Sequence, residues 1–473
     1  MKDTSLCFFS ATELAKKIRK KEVSSLEIMH AHLKLIEQVN PQLNAIVTLH
    51  PESALENAAK ADEKLSRGVE VGPLHGLPIA HKDLVLTKGV RTTFGSKIYK
   101  DFIPTEDSLL VKRLRKAGAI MVGKTNTPEF GAGSQTFNEV FGATLNPYDL
   151  SKTCGGSSGG AAAAVACRML PLADGSDLGG SIRNPANFCN VVGLRPSVGR
   201  IPRWPCESGW NSFSVDGPIA RTVEDTSLML GCMVGPDSRS PLGIPESGNI
   251  FLNPLDKDLK GVKIAWTKDL GCLPVDSKVT EVLQSKLKVF EDLGCIVDEG
   301  CPDFSDADEI FKTFRAWYFE LELGSLLPKY REKMKDTVVW NIEAGQKLSG
   351  MELGNAEVNR TKLFYRVQEF MQKYDFLALP VSQVPPFSVE QEYVFEINGI
   401  KMDSYLDWMK SCFFISVTGL PAISVPCGVT AEGLPVGIQL VGRHQDDLGV
   451  LQLANAFEKA TQFFKILPRN IVL

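Results

Sequence analysis

Behind Ser10, the run Ala11-Thr12-Glu13-Leu14-Ala15-Lys16-Lys17-Ile18 reads as a helix with one polar face, and Glu13 stands where a capping box needs it. Ser24 or Ser25 opens a second helix, which the pattern carries to Val39 ahead of Asn40-Pro41; a third spans residues 53–67 before Gly68. Their polar faces put these helices on the outside of a core. The pattern then changes to short apolar runs separated by helices: 78–82 as strand, 108–116 as helix, 119–123 and 169–173 as strands. Further strands are expected at 262–266, 376–379, 422–425 and 437–441. Alternation of this kind predicts an α/β fold in which a sheet is covered by helices on both faces. No linker or composition shift interrupts it, so residues 1–473 are expected to form a single domain. Residues 301–375 read differently, as mostly helical, with aromatics at Phe311, Phe314, Trp317, Tyr318, Phe319, Tyr330 and Trp340 and a solvated run at 332–336.

Composition narrows the function classes. A hydrophobic content of 44%, a charged content of 23% and a net charge of −4 describe an ordinary globular protein, with no reason to expect nucleic acid or an anionic membrane as partner. Eleven cysteines, without a Cys-x-x-Cys pair, argue against a disulfide framework and a zinc site; reduced thiols in the cytoplasm are the expected state. The apolar run within Met1–Phe9 is too short for a signal peptide, and no stretch approaches the length of a membrane span.

Candidate chemistry concentrates between Asn146 and Gly199, in two glycine clusters built around serine. Gly155-Gly156-Ser157-Ser158-Gly159-Gly160 runs into Ala161-Ala162-Ala163-Ala164, which puts both serines at a helix N-terminus. Leu178-Gly179-Gly180-Ser181 precedes Ile182-Arg183-Asn184-Pro185, a strand-to-helix turn, since proline is tolerated only in the first helical turn. Such turns suit an oxyanion hole beside a nucleophile. They also suit a phosphate nest, although neither P-loop nor dinucleotide spacing is present.

A serine nucleophile needs a base. Of six histidines, His30 and His32 read as solvated and His444 as surface loop, while His75 and His81 keep a Ser-His-Asp arrangement open. Lys82 is the stronger candidate, because it ends the apolar run Leu77-Pro78-Ile79-Ala80, and burial would lower its pKa enough for a neutral amine. Cys154 beside the first cluster lacks a neighbouring histidine.

These segments resemble the amidase signature family of serine amidohydrolases. The resemblance is carried by Gly76-Leu77-Pro78-Ile79-Ala80-His81-Lys82-Asp83, Gly123-Lys124-Thr125-Asn126-Thr127-Pro128-Glu129-Phe130, the two glycine clusters, Asp216-Gly217-Pro218-Ile219-Ala220-Arg221, Gly419-Leu420-Pro421-Ala422 and Pro435-Val436-Gly437-Ile438-Gln439. It spans residues 10–460 and is densest between about 70 and 225. It implies a single α/β/α domain around a large mixed sheet and a catalytic triad of Lys82 as base, Ser157 as bridging serine after a cis bond from Gly156, and Ser181 as nucleophile. It further implies an oxyanion hole within Leu178, Gly179, Gly180 and Ser181, substrate binding by Gly131, a pocket-wall position, and by Ser157, and support from Ser158, Asp177 and Arg183. Many relatives carry threonine or isoleucine where Leu178 stands; only its backbone N–H is asked for. Residues 301–375 would pack on the core; the alternative is that some of their aromatics line the substrate entrance.

Amide hydrolysis through an acyl-enzyme, without metal or organic cofactor, is the implied activity. The partner expected is a small-molecule amide, and a homodimer is left open. Two alternatives accompany this reading. A glutamine-hydrolysing subunit of a tRNA-dependent amidotransferase would use the same triad, but the segment from Ile201 to Trp210 lacks the pattern usual there. A catalytically silent binding protein on the same scaffold would have lost the triad, which is retained here.

Overall fold

The computed structural model describes residues 4–468 and Ile471; the expected signal-free start at Met1–Asp3 lies outside them. Eleven strands form one mixed sheet: β1 (Ile46–Leu49), β2 (Pro78–Lys82), β3 (Ile120–Thr125), β4 (Leu172–Asp177), β5 (Val192–Arg195), β6 (Val215–Ala220), β7 (Lys263–Trp266), β8 (Ile296–Glu299), β9 (Phe376–Pro380), β10 (Ala422–Val429) and β11 (Pro435–Gly442). Their order across the sheet is β1-β3-β2-β4-β6-β5-β10-β11-β9-β7-β8. Parallel pairs β2/β3, β2/β4, β7/β9 and β7/β8 flank a run of antiparallel pairs through the middle.

Strand periodicity divides the apolar residues between the two faces of this sheet. Ile79, Leu172 and Ala220 join one core, while their neighbours Ala80, Ala173 and Ile219 join another. The first is covered by helices that include α1 (Ala11–Arg19), α4 (Leu109–Lys116) and α7 (Val223–Met233), and the second by α2 (Ser25–Leu43), α3 (Pro51–Ser66) and α5 (Gly159–Ala166). The capping box at Ser10 and Glu13 forms as expected, and Ser24 caps α2 in the same way.

Three expectations are corrected. Helix α2 continues through Pro41 to Leu43, because the terminator is Asn44 in the left-handed conformation, while the Asn40 side chain binds both backbone groups of Ile46. Strand β4 begins later than expected and runs into the polar sequence Asp174-Gly175-Ser176-Asp177, since its ladders to β2 and β6 use backbone groups and both aspartates find partners there. In the run 332–336, Met334 is buried and the Lys335 ammonium lies 4.0 Å over the Phe137 ring, its stem covering apolar surface.

Candidate active site

Strand β2 is buried at all five positions and ends at Lys82, whose side chain has no exposed surface. The ammonium nitrogen Nζ lies 2.7 Å from Ser157 Oγ, 2.9 Å from Ser158 Oγ and 3.1 Å from Ser176 Oγ. Burial pushes the pKa of Lys82 down to about 7, against the opposing pull of Asp177, Asp216 and Asp174. Three hydroxyls around one nitrogen satisfy it in either state: an ammonium donates to all three, and a neutral amine donates to two and accepts a hydrogen bond from the third.

The histidines are engaged elsewhere. His81 Nδ1 lies 2.6 Å from Asp174 Oδ1, and Asp174 Oδ2 accepts the backbone N–H of Lys82, so Asp174 ties the end of β2 to β4. His75 Nε2 lies 3.0 Å from the Ala61 carbonyl. His32, expected in solvent, is fully buried on the apolar face of α2, where burial pushes its pKa down to about 4. Cys154 is buried, which raises its thiol to about 12 and leaves no thiolate to attack.

Ser157 follows a cis Gly156-Ser157 bond, as the resemblance implies, and Ser158 stands at the N-cap of α5. A side chain at Gly156 would meet the Gln135 backbone within 2.8 Å, so glycine allows the two loops to touch. A Cβ at Gly131 would stand 3.6 Å from Ser157 Oγ, which places Gly131 on the wall beside that hydroxyl.

Ser181 lies between β4 and the short helix α6 (Arg183–Phe188) and is 8% exposed. Its carbonyl accepts the Ser158 N–H at 3.1 Å, which joins the two glycine clusters. Gly180 takes φ +117°, and a side chain there would strike Cys412 at 2.4 Å. Of the four expected oxyanion donors, the Gly180 N–H is already given to Asp177 Oδ1 at 2.8 Å. Those of Leu178, Gly179 and Ser181 have no acceptor among the described residues.

Asp177 holds this turn from beneath. Its carboxylate accepts from Gly180 and Ile182 N–H groups, from Arg183 Nε and Nη2, and from Arg195 Nη1 at 3.1 Å. Although burial works to raise its pKa, the two guanidinium groups hold the carboxyl well below the usual carboxylate range. Arg183 also reaches Ser416 Oγ and the Cys412 carbonyl, tying the turn to helix α9 (Lys410–Thr418). Replacing Asp177 by alanine would leave two buried cations unpaired, so we expect Asp177→Ala to lose about 3–5 kcal/mol in chemical denaturation.

Sequence reasoning reached Lys82, Ser157, Ser158, Ser181, Gly131, Asp177 and Arg183, and the structure gathers all of them here. It missed Asp174, Ser176 and Arg195. The repeated acidic-small pattern from Asp174 to Asp177 was the available signal for the first two. In helix α8 (Ala307–Leu323), Phe311, Phe314, Tyr318 and Phe319 are buried in packing, as expected of this region, while Trp340 is exposed. Phe311 also lies against the turn before Ser181, where its ring would be 2.6 Å from a Cβ at Gly179. Among the described residues no helix is long and apolar enough to cross a membrane.

A buried lysine bound to Ser157 and Ser158 of one glycine-rich turn, itself joined to the Ser181 turn, on an eleven-stranded mixed sheet, defines the class: the chain belongs to the amidase signature family, whose Amidase model matches residues 27–451. It is 37% identical over 465 residues to an acylamidase of Rhodococcus erythropolis, covering 97% of this chain and 96% of that protein. To the A-type subunit of the glutamyl-tRNA(Gln) amidotransferase of Alkaliphilus metalliredigens (strain QYMF) it is 35% identical over 481 residues, covering 95% and 96%. Among solved structures, a bacterial aryl acylamidase of the amidase signature family matches with a TM-score of 0.92 at 29% identity, over 98% of this chain and 99% of that one.

Proposed function

We propose that this chain, acting as one domain, hydrolyses the C–N bond of linear carboxamides through an acyl-enzyme on Ser181. The observation that carries the reading is the buried Lys82 amine, 2.7 Å from Ser157 Oγ with its pKa lowered to about 7. Neutral Lys82 takes the proton of Ser157, whose oxygen takes that of Ser181 as Ser181 Oγ bonds to the amide carbon. The negative oxygen that forms is received by the N–H groups of Leu178, Gly179 and Ser181. Protonated Lys82 then returns its proton through Ser157 to the nitrogen, the C–N bond breaks and the amine leaves. Water, deprotonated along the same path, attacks the ester and releases the carboxylic acid and free Ser181.

Ser157→Ala removes the link between base and nucleophile. We expect kcat to fall by about two to four orders of magnitude on any amide the enzyme accepts, the range of a lost general acid–base partner. Steady-state hydrolysis of an acyl anilide by this variant is the measurement; near-normal turnover would show that Ser157 carries no proton. A panel of acyl anilides, primary amides and short peptide amides, scored by released amine or ammonia, tests the reading itself.

Similarity to the glutamyl-tRNA(Gln) amidotransferase chain supports a second reading, in which the same residues release ammonia from glutamine inside a complex. Ammonia from glutamine without anilide hydrolysis, together with co-purifying partner chains, would favour it.

A further inference from the structure

Three carboxylates face the Lys82 amine, and they differ in how fully they are matched. Asp177 is held by Arg183 and Arg195, and Asp174 by His81 and the Lys82 N–H. Asp216 is the third. Among the described residues no hydrogen bond reaches its carboxylate, and its ion pair with Arg203 Nε is long, at 3.7 Å. The ladder between β4 and β6 brings it to the site. Asp216 is the cross-strand partner of Ser176, and paired residues leave an antiparallel ladder on the same face, their Cβ atoms about 4.5–5.5 Å apart. Ser176 Oγ in turn lies 3.1 Å from Lys82 Nζ. Asp216 therefore stands beside a hydroxyl that touches the base, so its field reaches the amine although no bond joins them.

Arg203 is presented by a segment that is pinned at the next residue. The Trp204 carbonyl accepts the Leu109 N–H at 2.7 Å, and the Trp204 ring carries the cations of Lys112 and Arg239, each 4.3 Å from its centroid. Arg203 Nη1 donates to the Ser214 carbonyl at 3.3 Å, two residues before Asp216. Its side chain is 33% exposed, against 15% for Asp216, and it also faces Glu322 of α8. On Asp216 itself burial is the largest influence and raises the pKa, with Asp174 adding to it, while Arg203 and Lys82 act the other way. Arg203 is thus the cation that balances the least-matched carboxylate beside the base, and it stands on the far side of that carboxylate from Lys82.

We infer that the Arg203–Asp216 pair sets the proton affinity of Lys82: Asp216 favours the ammonium, and Arg203 offsets Asp216 so that the amine can both take a proton and return it. Neither residue bonds to Lys82. Both are positioning residues, Asp216 acting on Lys82 and Arg203 acting through Asp216. The pair rests on the amide hydrolysis proposed above, in which one proton moves onto Lys82 and back, and it adds the group that poises that exchange.

Two pH profiles test it: kcat/KM for an acyl anilide, which reports the free enzyme, and the rate at which a fluorophosphonate labels Ser181. Asp216→Asn removes the charge and keeps the shape. Its acid limb is expected about 0.5–1 pH unit below that of the wild type, the effect of one charge beyond hydrogen-bond range in a partly screened site. Arg203→Gln uncovers Asp216 and should move the limb upward by a similar amount, whereas Arg203→Lys should leave it close to the wild-type position. Adding Arg203→Gln to Asp216→Asn should move the limb no further, because no carboxylate is left for Arg203 to offset. A pair that only held the strands together would lower the rate at every pH and leave the limb in place. That result in Asp216→Asn would overturn the inference, as would an equal Arg203→Gln shift with Asp216 absent. Labelling needs no amide turnover, so the two readings separate. Limbs that move in labelling, with no amide hydrolysed by the wild type, would sink the hydrolytic reading and keep the pair; amide hydrolysis with limbs that stay fixed would do the reverse.

Discussion

Ser181→Ala is expected to abolish amide hydrolysis while leaving the protein folded. In the proposed mechanism the hydroxyl is the atom that bonds to the substrate carbon, so its removal would leave only the uncatalysed attack of water assisted by the proposed oxyanion donors. In serine hydrolases the loss of the nucleophile costs on the order of 10⁶ in kcat, and a deficit of at least about 10⁴ is expected here. The fold should tolerate the change, because the turn is held by Asp177, Arg183 and the Ser158 N–H to Ser181 carbonyl bond, none of which uses the Ser181 hydroxyl. Anilide hydrolysis and thermal melting of the two proteins measure both halves. Mass spectrometry after treatment with a fluorophosphonate adds an independent reading: the adduct should map to Ser181 in the wild type and be absent from the variant. A variant that keeps turning over would move the nucleophile elsewhere.

Much of this site was legible because burial leaves a mark on sequence. Lys82 at the end of an apolar run could only be a charge carried into the core, and the glycine clusters announced turns that other residues resist. What stayed hidden depended on partners distant in the chain. The polar half of β4 looked like loop because Asp174 and Asp177 are costly to bury; His81, Arg183 and Arg195 offset that cost only once the sheet has formed. Strands β1 and β8 are four-residue edges with half their positions or more in contact with solvent, too short for a period to show. His32 was misplaced for a related reason: the charged residues of α2 drew attention to its polar face, whereas position 32 falls on the face with Ile28, Leu35 and Ile36.

The base is tested by pH. Lys82 is held at about 7, below its ordinary value of 10.5, so the neutral form predominates above pH 7. Acylation should be flat in mildly alkaline solution and fall about tenfold for each pH step of one below 7, as the amine becomes protonated. The lowered pKa acts on stability too. Between about 7 and 10.5 the unfolded chain binds more protons than the folded one, so stability declines as pH falls through that window and levels off below it. Lys82→Met lacks this group, and its advantage over the wild type in urea should grow by a few kcal/mol between pH 10 and pH 7, at about 1.4 kcal/mol for each tenfold change in proton concentration. Its activity should be lost at every pH. Lys82→Arg should be equally inactive, because a guanidinium stays protonated throughout the usable range. His75→Ala should retain most of the rate, and His81→Ala should lose only what the Asp174 contact contributes to holding β2. Acylation rates across pH for these four variants separate the readings. An active Lys82→Arg enzyme, or a wild-type profile that passes level through pH 7, would take the base away from Lys82.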